Sequence, residues 1–351
     1  MSDFLPFLPW QQALASRWLG QRERFAHAWL IHGLPGIGKR QFALAAAGSL
    51  LCESPVDGLA CGHCAACLWI KSGSHPDLRR IRPEALAQEE GAAQGADDDG
   101  EQTGSGAKKT PSKEIKVEQL RSLHTWFNTA THRGGWRVAV LYPARAMNLI
   151  TANALLKVLE EPPAHTIFLL VADAPDRLLP TLVSRCRRLP LPVPGKAESL
   201  EWLAAEGVRD AGQWLAVSGG APLLARQLAQ SGQDPCPEWL ARLLAGLAAV
   251  QPPDIGPLAD QLEKQAPEVW IDALQRLFLD LLLAASGAPL RYFPALEKPI
   301  GAVASQALPG NLADTAQWLA QQRAVAGHPL NAKLFVHSAL QRAVLACARA
   351  R

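Results

Sequence analysis

The chain has 351 residues, 48% of them apolar and 19% charged, and its 35 basic against 32 acidic side chains leave a net charge of +3. That length and composition belong to a globular protein of two or three domains with a core of its own; they exclude a disordered chain and a fold that depends on disulfides. So small a charge excess does not demand a nucleic-acid partner, because phosphate binders gather Lys and Arg on one face.

In chain order, Met1–Gln11 has neither the basic start nor the long apolar stretch of an export signal. Ala28–His32 then reads as a buried strand feeding a glycine-rich turn, and Arg40–Leu51 as an amphipathic helix. Glu84–Glu114 carries five glycines, the acidic run Asp97–Asp99 and Lys108-Lys109, with almost no large aliphatic residue. It is expected to be a disordered surface insertion, solvated or serving as an interaction tail. Arg137–Tyr142 and Thr166–Ala172 are further buried strands, and between them Asn148–Glu160 has helical spacing that stops at Pro162-Pro163. Alternation of this kind predicts a parallel α/β sheet domain.

After Leu189 the strand-like runs end, and Pro190, Pro192 and Pro194 form a stiff connector. Glu198–Gln230 is predicted to be a small helical domain broken at Ser218-Gly219-Gly220; Pro235, Pro237, Pro252 and Pro253 mark a second boundary. Beyond it, Trp270, Leu274, Leu277, Phe278 and Leu281 share one helical face, with Asp272, Arg276 and Asp280 on the other. The expected domains are 1–190, 191–235 and 236–351. No run reaches the ~18 apolar residues of a membrane span, and Leu277–Ala285 is interrupted by Asp280, so a cytoplasmic protein is expected.

Gly33-Leu34-Pro35-Gly36-Ile37-Gly38-Lys39 fits the phosphate-loop pattern, in which backbone N–H groups and a helix N-terminus cradle phosphates and a lysine meets their outer oxygens. Arg40 stands where a Ser or Thr hydroxyl would hold Mg²⁺. A hydrolase also needs a carboxylate at the end of a second strand, but Val138–Leu141 runs into Tyr142-Pro143, and neither offers a hard anionic oxygen. Asp173, at the end of the next strand, is expected to cap Ala174-Pro175-Asp176. With both cation-holding positions lost, the chain is not expected to hydrolyse ATP. Two readings of the turn stay open: a structural remnant, or a cradle that still binds nucleotide.

Seven cysteines is an odd number, and in a reducing compartment they argue against a disulfide framework. Cys52, Cys61, Cys64 and Cys67 have the spacing C-x₈-C-x₂-C-x₂-C, which suits one tetrahedral Zn²⁺ in a closed, structural shell. Gly62 lets the turn close, and His63 and His75 are spare ligands by proximity alone. Cys186, Cys236 and Cys347 are isolated and read as buried small hydrophobes.

These residues together resemble a known family. His27-Ala28-Trp29-Leu30-Ile31, the turn Gly33–Lys39, the four cysteines, Ser74-His75-Pro76-Asp77, Asn153–Pro163 and Ser184-Arg185-Cys186 follow one another as in the AAA+ subunits of the bacterial DNA polymerase III clamp loader. The resemblance covers the sheet domain and the helical segment after it, and the helical remainder fits the family's collar domain in size and class. It implies a RecA-like AAA+ domain with an inserted zinc module, a helical lid and an all-helical collar.

The family's motor subunits (gamma/tau) keep the loop hydroxyl, the acidic pair and a sensing arginine; this chain has Arg40, Tyr142-Pro143 and, after Gly220-Ala221-Pro222, Leu223. The departures resemble the family's non-hydrolysing member, part of a polymerase holoenzyme and so of a nucleotidyltransferase complex. An ATP-hydrolysing motor subunit is the alternative, and a zinc-ribbon nucleic-acid module a third reading, for which Leu68-Trp69-Ile70-Lys71 offers little. The resemblance further implies motor and delta subunits, a sliding clamp and primed DNA as partners. It gives Arg185 the role of an arginine finger acting on a neighbour's ATP; read without the family, Arg185 belongs to a solvated basic cluster with Arg187 and Arg188.

Overall fold

The apolar runs of the first half pair into one parallel sheet. In a computed structural model that describes residues 6–91, 110–132, 134–232, 234–249, 253–328 and 331–348, the strands are β1 (Ala28–His32), β2 (Leu78–Ile81), β3 (Arg137–Leu141), β4 (Thr166–Ala172) and β5 (Arg187–Pro190). Their order is β2-β3-β4-β1-β5, and every neighbouring pair runs parallel. β3 and β4 are buried along their whole length, as strands covered on both faces must be.

The two edge strands lack the apolar run that marks the inner three. β2 reads Leu-Arg-Arg-Ile and β5 Arg-Arg-Leu-Pro, and charged edges of this kind discourage pairing with another sheet. Arg187 of β5 lays its guanidinium over the Trp29 ring at 5.4 Å, so an edge cation still packs on the sheet.

Two expectations for this half change. The helix after the glycine-rich turn, Lys39–Leu51, is not amphipathic: it packs on β1, β3 and β4, and of its residues only Arg40 is exposed. Its run of alanines permits that close approach. The expected disordered insertion also narrows. Glu84–Glu89 is a helix, the Ala85 N–H donates to the Ser112 carbonyl at 3.0 Å, and Glu84 accepts from the Ser112 N–H at 3.1 Å and pairs with Lys116. Both ends of the segment are therefore tied to each other; residues 92–109 lie outside the described residues. The helix Leu149–Glu160 begins where expected, with the Asn148 side chain accepting from the Thr151 N–H at 2.9 Å.

The chain divides into two compact units, 1–198 and 199–351. The second is helical, and one buried cluster runs through it from Leu203 to Cys347. The helix Pro267–Ala285 is its centre, packed against Pro309–Val325 and Glu297–Ala304, and its expected apolar face of Trp270, Leu274, Leu277, Phe278 and Leu281 is wholly buried. Among the described residues no helix is long and apolar enough to cross a membrane.

Asp280 departs from the polar face assigned to it, since it is fully buried. Its carboxylate accepts the N–H groups of Arg291 at 2.9 Å, Tyr292 at 3.0 Å and Phe293 at 2.7 Å, so a folded-back segment supplies the donors that water would otherwise give. Replacing it by alanine strands three donors. Asp280→Ala should cost about 3 kcal/mol in urea denaturation, against about 0.5 kcal/mol or less for the exposed Asp260→Ala.

Candidate nucleotide-loop site and four-cysteine cluster

Strand order brings the ends of β3, β4 and β1 side by side, and the segments leaving these strands meet at that edge, where open parallel sheets place their ligands. After β1 comes the turn Gly33–Lys39. Gly33 has φ +153°, and a Cβ there would lie 2.7 Å from the Leu191 carbonyl oxygen; Gly38, at φ +90°, hands the turn to the helix. A residue with a side chain fits neither position without strain. The turn is also held from outside, because Gln11 Nε2 donates to the carbonyls of Gly38 at 2.9 Å and Ile37 at 3.2 Å.

Lys39 is 5% exposed, and its Nζ reaches both the Leu34 carbonyl and Asp173 Oδ1, the latter at 2.8 Å. Burial lowers its pKa, with the Asp173 carboxylate opposing the shift. The expectation for Asp173 is corrected accordingly. It does not cap Ala174-Pro175-Asp176 but faces the loop lysine, because β4 lies directly beside β1. His32, at the end of β1, has its pKa lowered by burial first and then by Arg188 and Lys39.

The two positions that depart from a hydrolase, Arg40 and Tyr142, share a partner. Arg40 Nη1 lies 2.7 Å from Glu90 Oε1, and the Tyr142 hydroxyl donates to Glu90 Oε2 at 2.9 Å. Arg82 Nε stands 3.1 Å from the same Oε2. Arg82 and Tyr142 are each 2% exposed, and burial pushes the Tyr142 phenol well above its ordinary value. Glu90 belonged to the stretch expected to be disordered, and no local pattern marked it. Finding it requires knowing that β2 pairs with β3, so that the chain leaving β2 passes Tyr142.

The four cysteines converge. Their sulfurs all lie within 4.8 Å of one another, with Cys52 and Cys64 at 3.8 Å; the edge of a tetrahedron with ~2.3 Å metal–sulfur arms is about 3.8 Å. Helix ends place them: Cys52 follows Lys39–Leu51, and Cys64 caps Ala65–Ser72, its sulfur accepting from the Cys67 N–H at 3.5 Å. The Cys61 N–H points to Cys52 Sγ at 3.3 Å and the Cys64 N–H to Cys61 Sγ at 3.4 Å. The His63 N–H, foremost among several donors, lowers the Cys61 thiol to about 6, while burial raises Cys52 and Cys67. Donors aimed at sulfur favour thiolates, so the set fits one tetrahedral cation.

Neither histidine joins the cluster. His63 turns to the Cys61 carbonyl at 2.9 Å, and buried His75 accepts from the Asp77 N–H at 3.1 Å. Burial raises Cys186 to about 11 and Cys347 to about 12, as expected of buried thiols, whereas Cys236 is only half-buried.

Arg185 ends the helix Pro180–Arg185 just before β5, at the opposite end of the sheet from the turn after β1. The structure does not bring it to Lys39. Its Nη2 lies 2.5 Å from Glu160 Oε1, its Nη1 donates to the Thr181 carbonyl at 3.0 Å, and the side chain is 35% exposed. Leu223 lies in the helix Pro222–Gln230 of the second unit.

These features define a parallel-sheet α/β protein with a phosphate-type loop whose lysine pairs with Asp173, a four-thiol cluster and a helical C-terminal unit. The family model described as "DNA polymerase III, delta subunit" matches residues 13–194. DNA polymerase III subunit delta′ of Pseudomonas aeruginosa is 42% identical over 228 residues, 64% of this chain and 62% of that protein. The delta′ subunit of Escherichia coli is 32% identical over 271 residues, 76% of this chain and 73% of that protein. DNA polymerase III subunit tau of Salmonella typhimurium is 33% identical over 163 residues, 46% of this chain but 21% of that protein. The chain belongs to the DNA polymerase III delta′ subunit family.

The weight of the Tyr142 hydroxyl can be measured directly. Tyr142→Phe keeps the ring and deletes a bond to a charged acceptor, and urea denaturation should show a loss of about 1.5 kcal/mol.

Proposed function

We propose that the chain is the non-hydrolysing AAA+ subunit of a DNA polymerase III clamp loader, which helps place a sliding clamp on primed DNA during replication in the cytoplasm. The observation that carries this reading is the pairing of Arg40 and Tyr142 with Glu90, at the two positions where a motor subunit would hold Mg²⁺. The engine then lies in neighbouring gamma/tau subunits, and delta completes the assembly. Residues 191–235 serve as the lid and 236–351 as the collar.

Arg185 acts in trans. Its position away from its own chain's loop, and the partial exposure of its guanidinium, support donation to ATP held by an adjacent motor subunit. A planar fork there spreads positive charge over the transferring phosphoryl oxygens, an effect worth roughly 10³–10⁵ in rate at the site it serves. Cys52, Cys61, Cys64 and Cys67 hold a structural zinc, whose closed shell leaves no place for a reacting water.

The decisive measurement is DNA- and clamp-stimulated ATP turnover in a reconstituted loader. The isolated chain should be inert, and Arg185→Ala should cut turnover of the complex by about ten-fold or more. Turnover by the isolated chain would instead identify a motor subunit, and a complex indifferent to the substitution would reduce the chain to a scaffold.

The metal assignment has its own check. Elemental analysis should find one zinc per chain in the wild type and none in Cys61→Ser/Cys64→Ser, with amides of 52–75 losing protection from exchange, since such a site contributes an apparent ~10–16 kcal/mol to ordering its loop. Zinc retained by the double variant would overturn it.

A further inference from the structure

A phosphate loop offers backbone N–H groups and a cationic side chain to the oxygens of its ligand. Here the two cations of the turn are already engaged: Lys39 with Asp173 at 2.8 Å, and Arg40 with Glu90 at 2.7 Å. Glu90 also accepts from Tyr142, the residue that replaces the metal-holding carboxylate, and stands against Arg82. One carboxylate thus joins three segments: the residue after the loop lysine, the residue after β2 and the residue after β3. It lies between the positions that would flank a divalent cation, and its charge opposes that of a triphosphate.

We propose that Glu90 and Asp173 determine what this site rejects: they are resident carboxylates that satisfy the loop without nucleotide and exclude triphosphates from it. This rests on the reading of Gly33–Lys39 as a phosphate loop that no longer serves hydrolysis, and it names what stands in the ligand's place. The two carboxylates differ in how firmly they are held. Asp173 is 36% exposed and has Lys39 as its ion-pair partner. Glu90 meets two side chains that are each 2% exposed, so moving it aside would take the acceptor from the buried Tyr142 phenol and a carboxylate from Arg82.

The test is titration of the full chain with a fluorescent ATP analogue, with and without Mg²⁺. The wild type should show no saturable binding through the millimolar range. Asp173→Asn should bind the analogue, and Glu90→Gln should bind it about ten-fold more tightly than the wild type's upper limit. Placing Lys39→Ala in the Asp173→Asn background should abolish the gain.

Wild-type binding as tight as that of the variants would overturn the proposal. So would the absence of any gain in variants that keep the wild-type melting temperature, or a gain that ignores Lys39. Should Glu90→Gln fail to fold, Asp173→Asn decides alone, its side chain being partly exposed at a strand end. Loader turnover with Arg185→Ala is a separate readout, so loss of the clamp-loader reading and loss of this one are told apart.

Discussion

An all-parallel sheet sends every strand to the same edge, and that single constraint assembles the candidate site. Residues far apart in sequence, in the turn after β1, at Tyr142 after β3 and at Asp173 after β4, become neighbours because β3, β4 and β1 lie side by side. The same constraint separates Arg185, which precedes β5 and so belongs to the far edge. One chain therefore carries a phosphate-type loop at one end of its sheet and a partly exposed guanidinium at the other.

Electrostatics then decide what the assembled edge can do. Buried Lys39 meets the carboxylate of Asp173, and exposed Arg40 meets that of Glu90, each from another segment. Buried Arg82 and Tyr142 are gathered by Glu90 in the same way. The helical unit solves the equivalent problem differently, wrapping backbone N–H groups around the buried carboxylate of Asp280.

Legibility in the sequence followed the range of the interactions. Strands with continuous apolar runs, the Asn148-capped helix and the face of Trp270, Leu274 and Leu277 were all readable, because each is a local periodicity. The four cysteines were readable because chemistry restricts where thiols cluster. β2 and β5 were not, since an edge strand carrying two arginines has no apolar signature. Asp173 and Glu90 were misplaced for one reason: their partners are set by which strands pair, a non-local fact. Asp280 looked solvent-facing because helical spacing cannot announce that another segment will bring its amides.

Cys64 occupies two structural roles with one atom. Its sulfur caps the helix Ala65–Ser72 and also stands in the four-thiol cluster. Electron density on that sulfur is thus shared between an amide hydrogen and any cation the cluster holds. The first turn of the helix and the charge state of the cluster form a single cooperative element, so oxidation of the thiols would register as fraying at Ala65 rather than as a purely local chemical event.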